Sequence, residues 1–463
     1  MTTPQNLPLI DPYQPQSVLI QRDLENLTQR FFITTAASLA EKLPQRRYAL
    51  NLCRDRYFFS LGFCAALMRG ATTLLPPNRQ PQTIAEMSAN YEDCYCLTDT
   101  AVEDRQVLSR CGNLPLIDIA QNHDIDCCPE GEMDVPLIAG EQLAAIAFTS
   151  GSTGKPKPNK KPWFTLVGTA QMLARRFFNA DFYSATGRNG QRSRPTIIAT
   201  VPSQHMYGLE MTVMIALQGG AVMHNSHPFY PRDVAANLDS VVAYPRVLVT
   251  TPVHLRAILG AGVVVPPLAK IISATAPLDM ELARRAEQRF EAPVEEIFGC
   301  TEAGSMATRR TCSNANESEW VLLEGMKMFA SGQGYSVTGP QLKGEKRLED
   351  CFDPTGENSF RLLGRATDQI NVAGKRASLG DLTQRLLNIS GVEDAIVFVN
   401  DGAERPAALV VSALPARQIL NVLSKTVDAV FLPRPLKKVK QIPRNETGKV
   451  TRALVLKALK ENQ

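Results

Sequence analysis

The 463-residue chain lacks several features that would fix its compartment or chemistry at once. It has no run of about 18 apolar residues, the length that spans a bilayer, so no membrane-inserted helix is expected. Its first residues, MTTPQNLPLIDPYQPQ, carry neither a basic start nor an apolar stretch and do not read as a secretory signal. The ten cysteines include no C-x-x-C pair and have no histidine at ligand spacing. That argues against a zinc site and against a disulfide framework, and reduced thiols in a cytoplasm are expected. Internal repeats and low-complexity tracts are absent. The net charge is only +4, too small to mark a nucleic-acid binder.

What is present is a globular composition, 44% hydrophobic and 21% charged. At roughly 150 residues per domain this length implies two or three domains. The small net charge conceals an uneven distribution. From Arg434 to Lys460 the chain carries nine Lys or Arg (Arg434, Lys437, Lys438, Lys440, Arg444, Lys449, Arg452, Lys457, Lys460) against the single acid Glu446. That segment is +8, which leaves the rest of the chain at −4.

The coarse pattern is α/β. Short β-branched, apolar runs read as buried strands: AAIAFT (144–149), TIIATV (196–201), VLVTT (247–251), KIISATA (270–276) and VEEIFG (294–299). Helix-like stretches lie between them, such as Thr165 to Phe178 and Leu278 to Phe290. The second repeats Leu278, Leu282, Ala286 and Phe290 at four-residue steps after Pro277, a favoured helix start. Alternation of this kind implies largely parallel sheets covered by helices. Ligands on such sheets sit at the carboxyl ends of the strands, here the loops after residues 149, 201, 276 and 299. Beyond about residue 365 the texture changes. A helix over 378–390, strands over 393–399 and 407–413, a helix around 416–430, the basic KKVKQIP (437–443) and a closing helix from Thr451 predict a compact second α+β domain. The polar GRATDQINVAGK (364–375) reads as the linker.

The densest chemical signal is FTSGSTGKPK (148–157). Small residues let backbone N–H groups converge on phosphate oxygens, hydroxyls add donors, and lysine adds charge. It is not a Walker A loop, because Pro156 follows Lys155. A plain polar loop after a strand is the bland alternative. Likewise, taken alone, Thr301–Glu302 fits a solvated turn, Lys449 a surface lysine, and His205 a half-buried histidine. The pairs His224/His227 and Cys127/Cys128 read as structural or incidental.

Read with VPSQHMYGLE (201–210), SATAPL (273–278), EIFGCTEAG (296–304), GRATDQINVAGKR (364–376) and PRNETGK (443–449), this loop resembles the adenylate-forming superfamily of acyl-CoA synthetases, carrier-protein ligases and peptide-synthetase adenylation domains. The motifs occur in the family's order across residues 144 to 450. The resemblance implies an N-terminal adenylation core over 1–365, built of packed α/β subdomains with parallel-rich sheets, and a small mobile C-terminal α+β cap over 366–463.

It also implies roles residue by residue. Thr149, Ser150, Gly151, Ser152, Thr153, Gly154 and Lys157 match the phosphate loop that grips ATP. Thr275, Ala276 and Gly299 border the nucleotide, and Phe298 takes the aromatic place beside adenine that is usually Tyr. Thr301 and Glu302 match the pair contacting the α-phosphate and Mg²⁺, with Glu302 the metal carboxylate. Asp350, fourteen residues before Gly364, matches the ribose-binding aspartate although the usual T-G-D context is replaced by L-E-D-C. Arg365 matches the nucleotide-contacting arginine, and Lys449 the C-terminal catalytic lysine. His205, Gly208 and Gly299 line the acid pocket. The hinge falls at Thr367 and Asp368, where the family commonly has Asp or Lys at the first position. Two further departures are Pro158 in place of Gly and Thr275 where the adenine loop generally has Gly.

The implied reaction uses ATP and Mg²⁺ to convert a carboxylic acid to an acyl-adenylate, then passes the acyl group to a phosphopantetheine thiol on CoA or a carrier protein. The run SGSTGKPKPNKKPW with SQHMYGLE is most similar to aryl-polyene and xanthomonadin-type ligases. That implies a 3- or 4-hydroxybenzoate, or a related aryl acid, loaded onto an acyl carrier protein in pigment biosynthesis. A medium-chain or 3-hydroxy fatty acid, and a non-catalytic nucleotide-binding or carrier-docking protein, stay open as alternatives. No nucleic-acid partner and no membrane insertion are expected, and the compartment implied is cytoplasmic.

Overall fold

The structure is a computed structural model. It describes residues 6–22, 25–100, 114–122, 134–150, 156–186, 193–241, 245–312, 319–332, 334–365, 368–372, 375–400, 405–444, 450 and 452–461. The side chains of residues 149, 150, 156, 365, 369, 371, 376, 452, 453, 460 and 461 lie outside the description.

The N-terminal part holds two large sheets. The first has six strands: β1 (Tyr48–Asn51), β2 (Thr72–Leu75), β3 (Cys94–Thr98), β4 (Leu116–Asp118), β5 (Leu143–Ser150) and β6 (Pro156–Pro162), in the order β6-β5-β2-β1-β3-β4. All neighbours are parallel except the β5–β6 hairpin. Between β1 and β2 runs helix α1 (Arg56–Met68), buried along every residue from Arg56 to Leu67. Such all-round burial places it in the core between layers. The Asp55 carboxylate caps it, accepting from the N–H groups of Tyr57 at 2.7 Å and Phe58 at 3.3 Å.

The second sheet has eleven strands. Its centre is β7 (Thr196–Ala199), β8 (Val222–His224), β9 (Arg246–Thr250), β10 (Lys270–Ser273) and β11 (Val294–Cys300). Running β11-β10-β9-β7-β8 and on to Val18–Arg22, six neighbouring strands are parallel. Antiparallel β12 (Gly304–Arg310), β13 (Trp320–Leu322), β14 (Asp350–Pro354) and β15 (Ser359–Arg365) extend the β11 side, ending β13-β15-β14. Helix α2 (Trp163–Phe177) follows β6 directly, and α3 (Met280–Phe290) links β10 to β11. The helix after Pro277 therefore starts two residues later than its periodicity suggests. The Asp279 carboxylate accepts from the Leu282 N–H at 2.9 Å and sets the boundary, while Leu278 stays buried just outside.

The C-terminal part is a small α+β unit whose apolar clusters, among the described residues, draw on residues from Ile370 onward. Strands Val392–Val399, Pro406–Ser412 and Leu436–Lys438 form its sheet. Two readings are corrected here. The polar segment expected as a linker contributes a two-stranded hairpin, Gln369–Val372 against Lys375–Ser378. The helix expected over 416–430 stops at Leu423, and Asp428 starts a separate 3₁₀ turn by accepting from the Val430 N–H at 3.2 Å. The seven cysteines within the described residues form no disulfide with one another. No helix among the described residues is long and apolar enough to cross a membrane.

Besides a shared apolar core, a buried arginine absent from the sequence reading joins the two large sheets. Arg56, 1% exposed, begins α1 beneath the first sheet and reaches into the second. Its Nη2 donates to Val201 O at 2.8 Å and Ala199 O at 3.3 Å, its Nη1 to Ser226 O at 2.8 Å, and its Nε to Ser203 Oγ at 3.3 Å. Burial lowers its pKa to about 10, so it stays cationic at neutral pH. Gln204 reinforces the junction, donating to Cys53 O at 2.7 Å. Arg56→Met is expected to lose at least about 3 kcal/mol of unfolding free energy in a denaturant titration, because each orphaned buried acceptor costs about 1 to 3 kcal/mol. A loss under about 1 kcal/mol would show that the junction does not depend on the guanidinium.

Candidate active site

Because β7, β9, β10 and β11 are neighbours and parallel, the loops that follow them share one edge of the sheet. This brings together segments 200–208, 274–279 and 301–303, as the sequence led one to expect. Tyr207 ties the first to the strands: its hydroxyl meets Thr250 O at 3.1 Å and Ile272 O at 2.9 Å. The Thr200 and Thr250 hydroxyls lie 3.0 Å apart.

His205 precedes the short helical turn Met206–Gly208, and its carbonyl accepts from the Leu209 N–H at 2.7 Å. Gly208 is there for want of space, since a Cβ would stand 2.0 Å from Pro202 O. The chain continues as a π-helical turn, Leu209–Met214, a geometry common at functional sites. It carries a buried carboxylate that the motif reading passed over. Glu210 accepts from the Ser305 hydroxyl at 2.6 Å and the Ser305 N–H at 3.2 Å. Burial raises its pKa, and these bonds together with Lys161 oppose the rise.

Thr275 and Ala276 lie exposed in the loop after β10. Thr275 has φ 78°, a left-handed conformation costly for a β-branched residue. This is the position where the resembling family has glycine. Gly299 closes β11 opposite Ser305, and a Cβ on it would meet Gly304 O at 2.4 Å. Thr301 and Glu302 follow on the β11–β12 turn, both partly exposed. The Phe298 ring packs into an aromatic cluster, with Trp320 at 5.6 Å and Phe352 and Phe360 each at 5.8 Å. Asp350 and Arg365 stand opposite each other in register on β14 and β15.

The phosphate-loop residues flank the β5–β6 hairpin. Thr149 is in register with Lys157, Ser150 with Pro156, and Lys157 is exposed. Gly151, Ser152, Thr153, Gly154, Thr367 and Lys449 fall outside the described residues, as do the side chains of Thr149, Ser150 and Arg365. Asp368 is partly exposed just before the 369–378 hairpin. Lys161, on β6, looks in sequence like one of several surface lysines. It is 1% exposed, and its ammonium donates to Glu302 O at 3.0 Å. His224 and His227 are held by hydrogen bonds to Ser226 at 2.7 Å and to Thr200 O at 3.1 Å.

Mg²⁺ shares its shell with phosphate and water and takes one or two protein carboxylates. Glu302, partly exposed on a backbone-anchored turn, suits that donor set. Among the described residues no group of three or more His, Cys, Asp or Glu could hold a metal unaided.

An α/β body with a parallel sheet, an antiparallel Ser/Thr/Gly hairpin at its edge and a small C-terminal α+β domain defines the adenylate-forming class of ligase. The family model for AMP-binding enzymes matches residues 50–328, and the chain belongs to that family. It is an AMP-forming acid–thiol ligase that uses ATP and Mg²⁺. Among its relatives, a 3,4-dihydroxybenzoate–aryl-carrier-protein ligase of Bacillus anthracis is 23% identical over 68% of this chain and 74% of its own length. A 4-coumarate–CoA ligase of Rhodobacter capsulatus is 27% identical over 68% and 77%. The structure of O-succinylbenzoate coenzyme A synthetase from Bacillus subtilis, in complex with ATP and magnesium ion, superposes with a TM-score of 0.77 at 18% identity, covering 96% of this chain and 97% of that one.

Two substitutions probe the local geometry. Gly208→Ala is expected to displace the 202–208 segment and cost more than about 2 kcal/mol in a denaturant titration, the range of overpacked sites. Thr275→Gly is expected to leave the unfolding midpoint unchanged or higher, because strain of order 1–3 kcal/mol is relieved. A lower midpoint would mean the threonine side chain supports the turn.

Proposed function

We propose that the chain activates an aryl carboxylic acid, with 3- or 4-hydroxybenzoate the best candidate, and loads it onto the phosphopantetheine of an acyl carrier protein. Pigment assembly of the aryl-polyene or xanthomonadin type is the setting that its motif run suggests. The observation that carries the reading is the convergence of the acid-side segment 201–210, the loop at 274–279 and the Thr301–Glu302 turn on one sheet edge, with the β5–β6 hairpin anchored beside them. The aryl-carrier-protein and coumarate ligases among the relatives support the aryl choice.

A carboxylate approaching the α-phosphorus brings anion to anion, so the site must neutralise charge and align the attack. In this reading Glu302 holds Mg²⁺, which when bound offsets phosphate charge. The hairpin with Lys157 grips the outer phosphates. Thr301 donates to the α-phosphate, and Asp350 and Arg365 hold the ribose end. Phe298, fixed by its aromatic neighbours, offers a face or edge to adenine without a hydroxyl. His205, Gly208 and Gly299 border the acid. Lys449 is brought in by the C-terminal domain, which we divide from the body at residue 365. Rotation about Thr367–Asp368 withdraws it before thiol attack, keeping the reactive anhydride from water.

The basic C-terminal segment is the part we assign to an acidic carrier protein. Part of that charge is already engaged within the domain. Arg444 pairs with Asp394 at 2.7 and 2.9 Å, Lys437 donates to Leu459 O and Lys438 to Ala413 O.

Pyrophosphate exchange with a panel of acids tests the reading. Hydroxybenzoates should exchange faster than decanoate, the reverse order would transfer the assignment to fatty acids, and no exchange despite ATP binding would remove the catalytic one. Lys449→Ala should abolish exchange while sparing thioester formation from supplied acyl-AMP. Equal loss of both steps would contradict the rotation. Transfer to a carrier protein should exceed transfer to CoA and should weaken with salt.

A further inference from the structure

Two charged side chains that play no part in the mechanism above are buried beside its metal carboxylate. Lys161 leaves the last inward position of β6, at the edge of the six-stranded sheet. It crosses to the eleven-stranded sheet, where its ammonium meets the carbonyl of Glu302 at 3.0 Å. Glu210 approaches the same turn from the π-helical segment. It is 2% exposed and accepts both the N–H and the hydroxyl of Ser305. Gly304 lies between, at φ 75°, and a Cβ there would stand 2.6 Å from Glu210 Oε1. The turn from Thr301 to Gly304 is thus held at its start by a cation and at its end by an anion.

The two charges also support each other. Burial disfavours the charged form of each, and the attraction between them opposes that penalty on both sides. Cys300, Glu302 and Lys346 are the other titratable groups acting on Lys161. A buried charge is weak evidence for stability, since an apolar side chain of similar volume is often as good or better. Packing alone therefore does not account for a lysine here. Position does, because Lys161 and Lys157 share one strand and one face. The strand that carries the phosphate-contacting lysine is the strand that holds the carbonyl of the metal-holding residue.

We infer that Lys161 and Glu210 are positioning residues that register the Thr301–Glu302 turn against the phosphate-binding hairpin, so that the Mg²⁺ carboxylate and the phosphate grip are set by one buried pair. This rests on the adenylating reading of the site.

The experiment is a calorimetric titration of the full chain with α,β-methylene-ATP, whose carbon bridge prevents transfer of its adenylate, in Mg²⁺ and in EDTA. The variants are Lys161→Met, Glu210→Gln and the double variant, with thermal unfolding run alongside. Each single variant is expected to weaken binding in Mg²⁺ about tenfold or more and in EDTA less than threefold, with the unfolding midpoint little changed. The double variant is expected to weaken binding no more than the worse single one, because both residues act through the same turn. Unchanged binding in Mg²⁺, or equal loss in Mg²⁺ and EDTA, would overturn the inference, the latter by showing a merely structural role. Glu210→Gln preserves shape and keeps the test open should Lys161→Met fail to fold. Absence of pyrophosphate exchange in the wild-type chain with every acid would instead defeat the adenylating reading, and that result is separate from the binding comparison.

Discussion

A guanidinium cannot shed its charge at neutral pH, so once buried it must be surrounded by acceptors. Arg56 is surrounded by the carboxyl ends of β7 and of the chain leaving β8. The helix it begins belongs to the six-stranded sheet, and the carbonyls it satisfies belong to the eleven-stranded one. Those carbonyls face outward at the strand ends, where a parallel sheet offers no further ladder partner. The arginine thus uses acceptors that the fold leaves over, and in doing so sets the offset between two layers. The proposed phosphate hairpin is built on one layer and the proposed metal turn on the other, so their separation follows from this junction.

The same economy recurs nearer the site. Tyr207 and Lys161 bind main-chain carbonyls of other segments, and Glu210 binds a main-chain N–H together with the hydroxyl of the same residue, Ser305. Main-chain partners exist whatever the side chains at those positions, so the frame leaves the surface residues free to vary. A ligase of this class must bind a polyanion and then expose its product to a thiol. A rigid frame with adjustable exposed residues meets both demands.

Much of the body was legible in the sequence. The strands expected at 196–201, 270–276 and 294–299 are apolar, β-branched runs whose following loops carry the family motifs, so both the strands and their shared edge could be anticipated. The strands Tyr48–Asn51 and Thr72–Leu75 escaped notice because they are four residues long and sit beside an equally apolar helix. The hairpin at 369–378 was hidden by its polarity, since the apolar face it gives the C-terminal core is short, with Ile370, Val372 and Ala377 set among polar neighbours. Arg56 and Lys161 could not be recognised because burial is decided by partners 141 to 170 residues away. Locally, KPKPNKKP looks like solvent-facing sequence. The one available hint was its alternation, in which Asn159 and Lys161 turn inward while Pro158 and Lys160 face out.

That alternation has a consequence for how the sheet ends. β6 is an edge strand, and alternate residues of a strand turn their N–H toward the same side. Pro156 and Pro158 therefore delete donors from the side that β5 does not use, and Pro162 closes the strand. Lys160 keeps an outward N–H, so the edge offers another chain fewer donors than an ordinary strand would. The hairpin expected to bind phosphate thus stands at a border that discourages strand addition. Pro158, a departure from the family's glycine when met in the sequence, becomes in the fold one of the residues that remove outward donors from this border.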